Sequence, residues 1–386
     1  MFLGIGALGV TDSASSRRLL SLTIWRGGAL SCAQFTRYFF KEGLKRSKIV
    51  SRLRPVKFVL LTLLVFTSTD KIAAQSKDVL DGAKREGQLV FYSGIPVPDA
   101  QAVLSALEKK YPFIKTTFYR ATGPALVSRI QTEQRAGSHI WDVMNSTGFE
   151  PYVLLEQGYF AKHESAERKA FPDGHKDNQG FWATMYTSPM IVSYNTKLVS
   201  PAELPKDYAD LSNPKWKGRL GLDASDFEWY ANLRKIWGGD KAQKFLEGLR
   251  TQEVRLVQGR ALLTELLSGG EIAILVNNFL QNSIEAKRKG SPVEMLALDP
   301  VISAAGLVGI NKSAPHPNAA KLFVDFVLSK EGQELIVKTD RSSVRKDVAG
   351  NPLDLIKNVR IVPSDLSLGK NYVQTRDEFR DLLGVK

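Results

Sequence analysis

Apolar positions recur along this chain in two rhythms. Leu89–Tyr92, Lys115–Tyr119 and Ile140–Met144 are short runs that read as strands. Between them lie stretches with apolar residues three and four apart, which read as helices. These are Asp78–Glu86, Asp99–Tyr111 (Val103, Leu104, Leu107), Ala125–Ala136 (Leu126, Val127, Ile130) and Phe149–Gln157. Gly87, Pro112 and Gly158 punctuate them. A second series follows, with strands at Arg219–Leu222 and Ile272–Val276. Its helices open at Asp223–Tyr230 and run over Lys241–Leu249 and Arg260–Leu267. Strands alternating with helices predict parallel βαβ units, an α/β fold. Midway sits Thr184–Leu198. Its apolar run Met190–Tyr194 follows Pro189 and stops at Asn195-Thr196, and its position marks it as a crossover between two lobes. Ile302–Ile310 is a further apolar stretch. Pro317–Leu328, with Ala320, Phe323, Val324 and Val327 on one face, and Glu331–Val337 are helices.

In parallel sheets ligands bind outside the carboxyl ends of the strands. The turns there are Ser93-Gly94, Arg120-Ala121-Thr122-Gly123 and Asn145-Ser146-Thr147-Gly148. Each places small residues, hydroxyls and backbone N–H groups at a helix start, where an anion is favoured. Arg120 adds a guanidinium fork. The same residues also serve as plain helix caps, and both readings stay open. In the second series Tyr230 is a candidate ligand wall or a core residue. Asn277, after its strand, is a candidate polar contact or a turn residue. Asp223, Asp226 and Glu228 fit a first helical turn and lack calcium-loop spacing.

The formal charge is +13 over 386 residues, but it is unevenly spread. Residues 1–74 hold 12 Lys and Arg against 3 Asp and Glu; the remainder holds 41 against 37. The excess therefore belongs to the leader and does not argue for nucleic-acid binding. Within the leader, Arg52, Arg54 and Lys57 precede the apolar run Phe58–Phe66, and Ala73-Ala74 offers a cleavage site. That is the layout of a cleaved secretory signal. A signal so far from Met1 leads us to expect an over-extended start, with the true one close to Val50. The single Cys32 lies in the leader, so the body has no disulfide and no thiol chemistry.

The order of several strings resembles a known family. These are Gln88–Gly94, Trp141-Asp142-Val143, Tyr194-Asn195-Thr196, Asn213–Gly218, Ala314–Ala320 and Phe326–Gln333. Together they are similar to type II periplasmic solute-binding proteins of ABC importers, in the branch with ferric-ion-binding proteins (extracellular solute-binding protein family 1). The resemblance runs from about Gln75 to Val348. It implies a two-lobed periplasmic-binding-protein type II fold, each lobe a mixed or parallel sheet flanked by helices. Two crossover hinge strands join the lobes, the second within Gly306–Ile310. The expected divisions are leader 1–74 (signal from about 50), lobe one 75–189, lobe two 190–303, and 304–386 returning to lobe one with C-terminal helices.

The resemblance further implies capture of a small solute between the lobes, closure on it, and delivery to a membrane ABC permease. The expected protein is periplasmic, monomeric, without a cofactor and not an enzyme. His139, His163, His175 and His316 show no metal spacing, and no catalytic fingerprint is present. The expected ligand site is Ser93, Gly94, Arg120, Thr122, Gly123, Ser146 and Thr147, with Tyr186 at the boundary and Tyr230 and Asn277 from lobe two. Ferric-binding relatives use adjacent tyrosines. This chain has no Tyr-Tyr, and Asn277-Asn278-Phe279 stands at about that place. The expectation is therefore a small polar or anionic solute. The alternatives are ferric iron on Tyr92, Tyr186, Tyr194 and Tyr230, and an enzyme on the same bilobal scaffold.

Overall fold

A computed structural model describes residues 77–385. The expected leader and signal lie outside the described residues. After a first helix, α1 (77–86), the chain builds three parallel strands: β1 (Gln88–Ser93), β2 (Lys115–Arg120) and β3 (Val143–Thr147). The helices α2 (Val97–Lys110), α3 (Gly123–Arg135) and α4 (Glu150–Glu156) follow them in turn. Strand alternation sorts the helices onto two faces. Leu89 and Phe91 of β1 pack with α2 and with Phe323, whereas Tyr92 packs with Leu126 and Ile130 of α3.

After β4 (Phe160–Ala161) comes β5 (Ala183–Asn195), buried over all 13 residues. It is longer than the predicted run, and Pro189 lies inside it. Pro189 is the last residue paired with β10 (Val301–Asn311), opposite Ser303. Met190 is the first paired with β8 (Ile274–Phe279), opposite Phe279. A proline cannot donate to a ladder; here it stands where the strand changes partners, and so where it leaves one half of the molecule for the other.

The second half repeats the plan. Strands β6 (Leu220–Asp223), β7 (Arg255–Val257) and β8 are parallel, and β5 runs antiparallel beside β8. The helices are α5 (Phe227–Trp237), α6 (Gly239–Thr251), α7 (Arg260–Gly269) and α8 (Leu280–Arg288). Strand β9 (Val293–Leu296) also pairs with β5. The three residues of β7 are too few to show a pattern, and the sequence reading has no strand there. β10 then returns beside β5 and β3, followed by α9 (Pro317–Leu328) and α10 (Lys330–Val337). Eight of the eleven described strands form one continuous path, β2-β1-β3-β10-β5-β8-β6-β7, with β4 and a short strand at Ile361–Pro363 beside β10 and β9 beside β5.

The C-terminal segment differs from the expectation. Residues 366–371 stay with the first half, where Leu366 joins its core and Gly369 packs on Tyr152. The last helix, α11 (Tyr372–Leu383), packs on α5 and α6 of the second half. The cause is its stripe Thr375, Phe379 and Leu383, spaced four apart on one face; Phe379 and Leu383 complete the core around Trp229 and Tyr230.

Candidate functional site

The carboxyl ends of the parallel strands in both halves open onto one cavity of about 820 Å³. The first half contributes Gly94, Ile95 and Pro96 after β1, Arg120, Thr122, Gly123 and Pro124 at the end of β2, and residues 146–150 at the end of β3. The second contributes Ala224–Glu228 after β6, Gln258–Arg260 after β7, and Phe279, Gln281 and Asn282 after β8. Tyr186 and Ser188 on β5, Arg341, and Tyr372, Arg376 and Arg380 of α11 complete the wall. The residues before α3, α5, α7 and α8 (Thr122, Asp226, Gly259, Phe279) make no side-chain cap. First-turn N–H groups at the cavity are therefore left without the usual side-chain acceptor.

Seven of the ten sequence-predicted ligand residues line this cavity: Gly94, Arg120, Thr122, Gly123, Ser146, Thr147 and Tyr186. Arg120 donates through Nε to the carbonyl of Ile95 (3.1 Å), which fixes its stem. The hydroxyls of Thr147 and Tyr186 lie 3.0 Å apart. Tyr186 owes its place to Gly306 across the β5–β10 ladder, where a Cβ would come within 2.5 Å of the ring.

Ser93, Tyr230 and Asn277 do not reach the cavity. The Ser93 hydroxyl is wholly buried, donating to Asn145 (3.0 Å) and accepting from the Ile95 N–H (3.2 Å); it holds the turn from behind. Tyr230 packs on Phe379 and donates to Glu378 (2.7 Å), because α11 covers it. Asn277 and Asn278 do not follow their strand: β8 runs on to Phe279 and both are buried. Asn278 donates to Thr264 (3.2 Å) and Ser283 (3.1 Å), a polar network that lets it occupy a core strand, whereas Asn277 donates only to the Met190 sulfur (3.6 Å) and its side-chain oxygen is buried without a partner among the described residues. Phe279 and Gln281 take the place at the cavity expected of Asn277. Of the tyrosines named for iron, Tyr186 alone lines the cavity. Tyr92 donates to Glu133 (3.0 Å), Tyr230 to Glu378, and Tyr194 is buried in the core of the second half.

The charged groups at the cavity were mostly invisible in the sequence. Its wall carries five arginines (Arg120, Arg260, Arg341, Arg376, Arg380) against three acids (Glu150, Asp226, Glu228). Arg260 pairs with Asp226, lies 4.0 Å over the Phe279 ring, and leaves its Nε buried without a partner among the described residues. Arg341, 9% exposed, pairs with Asp99, donates to Thr339 (3.1 Å) and lies 5.2 Å from the Tyr186 ring centre; its Nε is likewise unpartnered. One signal was available. Arg260 is the first residue of α7, where the helix dipole disfavours a cation. A residue placed against a local rule is a residue to explain by function. Arg341 lies in a stretch with no periodicity and gave no signal.

Glu150 and Glu228 approach each other from opposite halves beside Gly148. A Cβ on Gly148 would run into the Glu150 carboxylate and lie 3.7 Å from Glu228 Oε2. Its φ of +103° is open to glycine. Burial pushes the Glu150 carboxyl up to about 7, its own backbone opposes, and Glu228 adds to the rise. Burial also raises Glu228, against the Ser364 hydroxyl and Arg260. Asp226 is raised by burial against the pull of Arg260. Among the described residues no group of three His, Cys, Asp or Glu could hold a metal ion, and no helix is long and apolar enough to cross a membrane.

Two α/β halves, two long antiparallel strands passing between them and a polar cavity at the strand ends define a two-lobed solute-binding protein. Residues 152–365 match the family of bacterial extracellular solute-binding proteins, and the chain belongs to it. It is a substrate-binding protein of the branch that contains ferric-iron-binding proteins. The major ferric iron-binding protein of Neisseria meningitidis serogroup A is 26% identical over 279 residues, 68% of this chain and 81% of that one. Two solved structures share the fold. Iron-bound HitA from Pseudomonas aeruginosa superposes with a TM-score of 0.67 at 22% identity, covering 76% of this chain and 99% of its own. AfuA from Actinobacillus pleuropneumoniae, with exogenous fructose-6-phosphate bound, gives 0.67 at 23% identity, covering 78% and 99%.

Proposed function

We propose that this protein captures a small anionic organic solute in the periplasm and delivers it to an ABC importer. The observation that carries the reading is the composition of the cavity wall, five arginines against three acids. Guanidinium forks suit carboxylate and phosphate groups, and about 820 Å³ suits an organic molecule better than a bare ion. AfuA, with its bound fructose-6-phosphate, shows that a phosphorylated sugar fits this fold. We take the ligand set to be Gly94, Arg120, Thr122, Gly123, Ser146, Thr147 and Tyr186, joined by Arg260 and Arg341. The two halves close over the solute about β5 and β10, as monomers exported by a cleaved signal peptide.

The second reading is ferric iron, favoured by the names of the sequence relatives. It needs hard oxygen donors, and Tyr186 and Tyr372 bring two phenols to the cavity. A visible absorption titration of the purified protein with ferric citrate separates the readings. We expect no phenolate-to-iron charge-transfer band, and mass spectrometry of the solute released on denaturation to show a carboxylate or phosphate compound. A band saturating at one ion per chain would replace the organic reading with iron.

A further inference from the structure

The two buried arginines of the cavity are built alike, one in each half. Arg341, beside Ser342, which pairs with Thr187 of β5, is held by Asp99 and lies over Tyr186. Arg260, at the start of α7, is held by Asp226 and lies over Phe279. An aromatic face fixes the plane of a guanidinium, and a carboxylate at one terminal nitrogen fixes its rotation. In both the partners engage a single terminal nitrogen, Nη1 in Arg341 and Nη2 in Arg260. In both Nε is buried and has no acceptor among the described residues. The protein's own partners use one terminal nitrogen of each, so the rest of each guanidinium is available to an acceptor from the cavity that both residues line.

We infer that the solute carries two oxyanionic groups, one claimed by Arg341 of the first half and the other by Arg260 of the second. This rests on the anionic-solute reading and goes beyond it, because it fixes the number of anionic groups and assigns one to each half. A solute with one oxyanionic group satisfies one fork and leaves the other guanidinium without a solute partner. A solute with two such groups satisfies both, so its two ends tie the halves together. On the wall of the same cavity, Glu150 and Glu228 meet beside Gly148. Carboxyl groups there accept from hydroxyls and repel a third anion, so the middle of the solute is hydroxylated. The class is a hydroxylated organic molecule with two oxyanionic groups, of which a sugar bisphosphate is one form.

Isothermal titration of the purified, dialysed full chain with fructose 1,6-bisphosphate and fructose 6-phosphate tests this. We expect the bisphosphate to bind at least about tenfold more tightly, since each charge-assisted fork contributes on that scale. Arg260→Gln and Arg341→Gln should each remove that preference. Arg260→Lys and Arg341→Lys, which keep the charge but lose the planar fork, should fall between, and melting temperatures should show all four variants folded. Equal affinity for the two sugars, or a preference that survives both glutamine variants, overturns the two-group inference and leaves a solute with a single oxyanionic group standing. Binding of neither sugar overturns this inference, and a released solute without carboxylate or phosphate overturns the anionic reading beneath it.

Discussion

Glu150 shows how a cavity changes the chemistry of one side chain. Its ordinary carboxyl value is 4.5, and in the folded protein it is pushed up to about 7. Between those values the folded state binds more protons than the unfolded state. Stability therefore falls as pH rises through that window and stays lower above it. Glu150→Gln keeps the shape and removes the charge. We expect it to raise stability by roughly 1–2 kcal/mol at pH 8 and by almost nothing at pH 4. Urea denaturation at both pH values checks this; an equal gain at both would mean the carboxylate is not the cause. Arg120, Thr122, Ser146 and Thr147 were legible in the sequence because they sit in strand-to-helix turns, where topology alone predicts a site. Arg260 and Arg341 were not, because their role depends on Asp226, Phe279, Asp99 and Tyr186, all distant in the chain.

At the scale of elements, helix α11 carries the largest difference from the sequence reading. Its apolar stripe was visible, but two lobes offer two cores to cover, and periodicity does not say which. The choice falls to shape: Phe379 fits against Tyr230, with ring centres 5.9 Å apart. Phe379→Ala should lower stability by roughly 3–5 kcal/mol, the usual cost of emptying an aromatic site in a core. Differential scanning calorimetry should show the loss in the transition of the second half, with that of the first half little moved. A loss in the first half would contradict the packing. Pro189 and Asn277-Asn278 follow the same lesson from the other side. Both read locally as breaks, and both lie inside strands. Pro189 stands where β5 changes partner, and the asparagine amides sit beside hydroxyl and thioether partners that only the fold supplies.

For the whole molecule, binding is a matter of two halves and two long strands. β5 and β10 are buried along their full lengths, and their ladders are interrupted at Gly306/Leu307 and Ile191/Ser193, so the halves are joined by two long strands with breaks about which they can bend. Arg341 comes to the cavity from the first half and Arg260 from the second. A solute held at both ends must favour the closed arrangement by its differential affinity for that state. Small-angle scattering of the protein with and without saturating bisphosphate should show a smaller radius of gyration in the bound form. An unchanged radius would mean a cavity already closed, or a solute held by one half alone.

By itself the sequence determined the alternation of strands and helices, and with it the α/β class, the two series and the turns that face a cavity. Those are properties of local periodicity and of where glycine and proline fall, which a chain carries in its own order. Only the tertiary structure decided which charges meet, which core α11 closes, and that Arg260 and Arg341 come to one cavity from two halves. Those depend on residues brought together from far apart in the chain, and burial and pairing do not exist before the chain has folded.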